Sequence, residues 1–223
     1  MARVAILTLG KLTPLGGKGD SQLLTCCSVA EHPWDRFKVD LFWRPRQLRC
    51  LIVGENPGDV DSAYFYEAPE SYANDPVVVR RCLLRGLHSQ KLIPTATLEG
   101  FRDAGFLFDH AIRCLLSSAD VKKGRSAAMR YASSRVQRSA HLLASLSQAP
   151  VVWVMGHLAN NAVVNLTEDL PKEKRKISCD PFPGEAAPGS RFFISEYFHR
   201  WNREQWPEIC ATFAQFARTR GVF

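Results

Sequence analysis

Four short apolar runs punctuate the chain, and longer stretches with a helical repeat lie between and after them. The runs are Cys50–Gly54, Phe106–Ile112, Val151–Gly156 and Arg191–Tyr197. Each is short and largely without polar alternation, as expected of a strand buried on both faces. Apolar residues recur at three- and four-residue steps in Pro76–Leu87, Ser126–Ser147, Leu158–Leu166 and Trp206–Arg218, which predicts helices there. Strands separated by helices imply a single-domain α/β fold: a central four-stranded parallel sheet with helices on both faces. The domain is expected to span residues 46–223. Residues 1–45 read as an irregular segment packed on or flanking it. That segment includes a Gly-rich stretch, Thr13–Asp20, and an aromatic-basic stretch, Pro33–Arg49, leads into the first strand.

Composition narrows the function classes. The chain has 223 residues, 46% hydrophobic and 23% charged, enough to bury a sizeable core and too apolar for a disordered chain. Its net charge of +7 suits a polyanionic partner, although a basic surface alone does not separate a nucleic-acid binder from any other basic protein. Seven cysteines with no signal-peptide pattern in Met1–Gly10 predict free thiols in a reducing cytoplasm. No apolar run reaches membrane-spanning length. Two loops, Ser117–Arg125 with Lys122 and Lys123, and Pro171–Ser190 with the run Lys172–Lys176, are basic enough to touch phosphates.

In parallel sheets the ligand crevice lies beyond the carboxyl ends of the strands, so the segments after Val53, Ile112, Met155 and Glu196 carry the most information. The first of these is Gly54-Glu55-Asn56-Pro57-Gly58. Its glycines allow close backbone approach to a ligand, Pro57 stiffens the turn, and Glu55 and Asn56 are held at the strand end.

This stretch resembles motif A of the uracil-DNA glycosylase superfamily. It fits both the Gly-Glu-x-Pro-Gly of the iron–sulfur branch and the Gly-x-Asn-Pro-Gly of the mismatch-specific branch. Three further segments follow in family order. Asp109–Cys114 takes the place of Thr-Asn-Val-Val-Lys-Cys. Val151–Asn160 is similar to an apolar strand followed by Leu-Gly-x-x-Ala. Phe193–Asn202 stands where motif B, His-Pro-Ser, is usual. The chain departs from the family in two places that matter. His110 replaces the Asn that reads the uracil edge, and motif B is His199-Arg200-Trp201. The cysteine spacing of the iron–sulfur branch is also missing. Cys26 and Cys27 are adjacent, and no cysteine lies between Cys114 and Cys179, so neither a cluster nor any other metal or cofactor is expected.

The resemblance implies a DNA glycosylase that flips a damaged base from the stack and hydrolyses its N-glycosidic bond. Asn56 would hold the attacking water, and Glu55 would act as general base or stabilise the cationic sugar. His199 would donate to the departing base anion, or else simply cap a strand end. Gly54, Pro57 and Gly58 would shape the base pocket, with Phe65 and Tyr66 chosen from Tyr64–Tyr66 as stacking rings. An imidazole at His110 cannot present a donor and an acceptor side by side as an amide does, so base selection should be broader than uracil. A buried structural histidine is the alternative. Arg200, Trp201 and Arg203 would fill the gap left in the duplex, and Lys122 and Lys123 would meet its backbone. The expected partner is DNA bearing uracil or another damaged base, and the chain is read as a monomer. A lesion-binding or covalently trapping protein of the same fold is the rival reading. The retained pair Glu55–Asn56 favours turnover.

Overall fold

The structure is a computed structural model that describes residues 33–55, 64–111, 113, 140–157, 159–160, 163, 184–185, 189–197 and 203–223. Its centre is a sheet of β1 (Cys50–Gly54), β2 (Phe106–His110), β3 (Val151–Met155), β4 (Gly184–Glu185) and β5 (Phe192–Ser195), in the order β2-β1-β3-β5-β4. β2, β1, β3 and β5 are mutually parallel, which is the expected four-stranded core. The two-residue β4 pairs antiparallel with β5 and was not expected, because a Pro/Gly-rich sequence gives no strand signal.

Every position of the four parallel strands is buried, which accounts for their continuous apolar sequence. Three strands end sooner than their apolar sequence. β3 stops before Gly156, whose φ of +91° turns the chain, and β2 stops at His110 rather than Ile112. β5 stops at Ser195, two residues short of Tyr197.

Registered side chains separate the two faces of the sheet. Phe106, Phe108, Ile52, Trp153 and Phe193 align on one face. Trp153 stacks there on Phe213 of the last helix (centroids 4.3 Å apart), and Phe106 stacks on Phe101 (5.1 Å). Asp109 alternates to the other face. Its carboxylate accepts from Arg113 Nη2 at 2.6 Å, and that guanidinium lies 3.7 Å over the ring of Trp34.

Six helices are described: α1 (Pro33–Arg36), α2 (Val39–Phe42), α3 (Val78–Ser89), α4 (Leu98–Asp103), α5 (Ala140–Gln148) and α6 (Trp206–Thr219). α6 matches its predicted span to within a residue. α3 begins at Val78 rather than Pro76 because Asp75 Oδ1 accepts from the Val77 N–H and turns the chain first. α4 was missed, since six residues are too few to show a period. It is capped by Thr97, whose side chain accepts from the Gly100 N–H. The helix expected at Ser126–Ser147 is described only from Ala140. Of the one expected at Leu158–Leu166, only residues 159, 160 and 163 are described, and they are helical.

The stretch from Pro33 is not the irregular segment expected. It forms α1 and α2, and Trp34 and Val39 are buried in the core. Trp34 Nε1 donates to Asp40 (2.8 Å), and Trp43 stacks on Tyr66, so this stretch belongs to the domain. Among the described residues no helix is long and apolar enough to cross a membrane.

Candidate functional site

From β1 the chain goes to β2 on one side and then to β3 on the other, so the sheet reverses direction between β1 and β3. In doubly wound sheets the crevice opens at that reversal, beyond the carboxyl ends of the strands. Glu55, the first residue after β1, lies at this point.

Two glycines make the room. A Cβ on Gly156 would sit 2.5 Å from Glu55 Oε1 and 2.9 Å from its Cγ and Cδ, so the Glu55 side chain lies directly against the bare Gly156 backbone. With φ at +91° Gly156 is also in a conformation other residues rarely adopt. Gly54 is equally confined: a Cβ there would be 2.8 Å from Phe108 Cζ and 3.3 Å from Tyr197 Cε2. The Gly156 N–H donates to the Ser195 carbonyl at 2.9 Å, tying the end of β3 to β5.

Tyr197 follows β5 and faces Gly54. Burial pushes its phenol well above the ordinary tyrosine range, and the Glu55 charge pushes the same way. It therefore remains a neutral hydroxyl near the carboxylate. In the sequence Tyr197 is overshadowed by the histidine and arginine that follow it. The usable signal was its place at a strand's carboxyl end.

His110 ends β2 directly beside Gly54 in register. It is 4% exposed, and its ring lies between Phe108 (5.0 Å, edge-on) and Tyr64 (5.8 Å, tilted). Burial, reinforced by the charge of Arg113, lowers its pKa to about 3, so the imidazole is neutral at ordinary pH. Its Nδ1 is buried and has no hydrogen-bond partner among the described residues. Asn160 is another such group. It is 1% exposed, its Oδ1 has no partner among the described residues, and its backbone N–H donates to the Gly156 carbonyl at 3.0 Å.

The aromatic run Tyr64–Tyr66 is seated differently from the expectation. Phe65 stacks face to face on Phe108 (4.3 Å, 15°), and Tyr66 spends its hydroxyl on the outer edge of β2. That hydroxyl donates to the Phe108 carbonyl (2.9 Å) and accepts from the Phe108 N–H (2.7 Å), satisfying an edge-strand position that has no neighbouring strand. Both rings are core elements, and Tyr64 is the one beside His110.

Arg80 explains the rigidity of this loop. Its guanidinium is 1% exposed and bonds Asp75 through Nε (2.5 Å) and Nη2 (2.6 Å). It also donates to the carbonyls of Tyr64 (2.9 Å), Phe65 (3.1 Å) and Glu67. Three carbonyls and a carboxylate thus fix the backbone that carries the aromatic run.

The remaining expected residues, Asn56, Pro57, Gly58, Lys122, Lys123, His199, Arg200 and Trp201, lie outside the described residues. Arg203 opens the one-turn helix Arg203–Gln205 ahead of α6. Cys50, Cys82 and Cys210 are buried, and the other four cysteines lie outside the described residues. Among the described residues no three His, Cys, Asp or Glu side chains gather as a metal site would need. No protein-family model matches this chain, and no curated protein matches it significantly.

Proposed function

We propose that this protein is a monofunctional DNA glycosylase that flips uracil, and other damaged bases, into the crevice beside Glu55 and releases them by hydrolysis. The observation that carries the reading is the Glu55 carboxylate, seated against Gly156 at the reversal point of a doubly wound sheet. A carboxylate at that position suits either role the reaction needs. It can accept a proton from the water attacking the sugar, or it can stabilise positive charge on the sugar as the bond to the base breaks. The water's oxygen bonds to the anomeric carbon, and the glycosidic electron pair leaves with the base. Asn56 is the proposed second ligand of that water. No lysine stands in Leu51–Gly58 to form a Schiff base, which favours water as the nucleophile.

The departing base carries negative charge. His199 is its proposed donor, and His110 can contribute only as a neutral ring, given its depressed pKa. The phenol of Tyr197 is a third candidate donor near the carboxylate. A neutral imidazole at the place of an edge-reading amide favours selection by shape, so hypoxanthine, xanthine and etheno-adducts are expected among the substrates. Arg200, Trp201 and Arg203 are proposed to enter the duplex gap, with Lys122 and Lys123 on its backbone.

The test incubates the protein with oligonucleotides bearing each base in one sequence context, followed by alkali. Strand cleavage at the damaged position is expected, for uracil first. A gel shift surviving denaturant, with no cleavage, would instead mean a covalent trap. No cleavage and no shift for any base would end the proposal.

A further inference from the structure

At the opposite ends of the same strands lies a groove of about 750 Å³ that the catalytic reading does not use. Arg49 immediately precedes β1 and Gly105 immediately precedes β2, and both line it, so it opens at the amino ends of the strands. Its other walls come from α2 and from Arg102 and Asp103 at the end of α4. Arg102 Nη1 donates to the Phe42 carbonyl at 3.1 Å, pinning the end of α2 against α4.

The lining has two characters. Leu41 and Phe42 are 71% and 53% exposed, and among the described residues they are the exposed large hydrophobics. The same short helix buries Val39 completely, so α2 has one face in the core and an apolar pair left in water. Around this pair stand four guanidinium groups, Arg44, Arg46, Arg49 and Arg102. Two of them already have carboxylates: Arg44 with Asp40 (3.0 Å) and Arg102 with Asp103 (2.8 Å). Arg49 lies over the Phe223 ring, and neither it nor Arg46 has a carboxylate partner among the described residues.

We infer that this groove docks an acidic peptide segment of another protein, one that carries apolar side chains between its carboxylates. An exposed apolar patch rimmed by polar groups marks a protein-interaction surface, and arginine and aromatic residues are enriched in such surfaces. Two guanidinium forks without a carboxylate among the described residues, beside an apolar pair, match a few carboxylates flanking leucine or phenylalanine. A nucleic-acid backbone fits less well. Its phosphates would satisfy the guanidinium groups but leave the aliphatic Leu41 in water, which a leucine or phenylalanine of a peptide would cover. The groove lies a strand's length, roughly 17 Å, from Glu55. A peptide held there leaves the crevice open, and the inference does not depend on what Glu55 does.

The test measures fluorescence anisotropy of a labelled synthetic peptide of glutamates interspersed with leucine and phenylalanine, added to the full chain. An all-glutamate peptide and an uracil-free single-stranded oligonucleotide serve as competitors. The mixed peptide should bind, weaken with salt and resist both competitors. Arg46→Glu and the double change Leu41→Ser/Phe42→Ser should each weaken it at least about tenfold. Glu55→Gln should leave it unchanged. All these positions except Glu55 are exposed, and thermal melting would verify that the variants fold. Three outcomes would overturn the inference: no binding, binding unchanged in both groove variants, or displacement by the oligonucleotide. The last would make the groove a nucleic-acid surface.

Discussion

The two ends of this sheet are built by opposite rules. At the carboxyl end the described polar groups are buried or half-buried and held in place: Glu55 against Gly156, His110 between two rings, and the Tyr64–Glu67 backbone gripped by Arg80. At the amino end the charges are exposed or half-exposed, and α2 leaves Leu41 and Phe42 in water. The contrast separates a place where geometry is enforced from one where a surface is offered. Enforcement costs stability when any member is removed. Offered groups can be changed with little effect on folding.

The largest expected difference comes from two arginines, one at each end. Arg80→Met leaves Asp75 buried and uncompensated, with three carbonyls losing their donor, and should cost about 3–5 kcal/mol. Arg46→Ala should stay within about 0.5 kcal/mol. Urea unfolding of both variants checks the pair, and equal losses would erase the distinction between the ends.

The next effect is in pH. The folded pKa of His110 is depressed to about 3, below its ordinary value of about 6.5. Above both values the ring is neutral folded and unfolded, and stability is complete. As pH falls below about 6.5 the unfolded chain takes up a proton that the folded chain refuses. Stability therefore drops by about 1.4 kcal/mol per pH unit until the folded pKa is reached. Denaturation at stepped pH should show this slope, and His110→Asn should remove its contribution. A slope unaffected by His110→Asn would mean that the ring is more open to water than its packing implies.

A smaller effect is expected from Gly156→Ala. The positive φ costs about 1–3 kcal/mol for a residue with a Cβ. The added methyl must also displace Glu55, so base release should fall by more than the lost stability explains. Calorimetry beside a rate measurement separates the two. A rate that stays intact would show that the Glu55 position does not depend on the bare glycine.

Much of the sheet was legible in the sequence because burial on both faces writes a strand as a continuous apolar run. Cys50–Gly54 and Val151–Met155 are read almost as they stand. The length of β2 was not legible, since Ala111 and Ile112 continue the apolar pattern past the last ladder residue. α1 and α2 were invisible, at four residues each, to any test of periodicity. In the candidate site, Gly54 and Glu55 are legible from the local motif and His110 only through the family resemblance; Gly54 and His110 are in register at adjacent strand ends. Tyr64 could not be told from Phe65 and Tyr66 because three consecutive aromatics carry no sign of which one faces where. Arg80 lies within a helical pattern that carries no local sign of its burial. Its role comes from Asp75 and from the Tyr64–Glu67 loop that the fold brings against it, contacts that no local pattern encodes.

The central claim is that Glu55 serves bond breaking in a crevice that holds DNA by other groups. The direct measurement is single-turnover release of uracil from an oligonucleotide by the wild type and by Glu55→Gln, with DNA affinity measured alongside. An interaction made mainly in the transition state predicts a rate about 10²-fold lower in Glu55→Gln with affinity nearly unchanged. Full-rate release by Glu55→Gln, or a loss that appears only as weakened binding, would contradict the account.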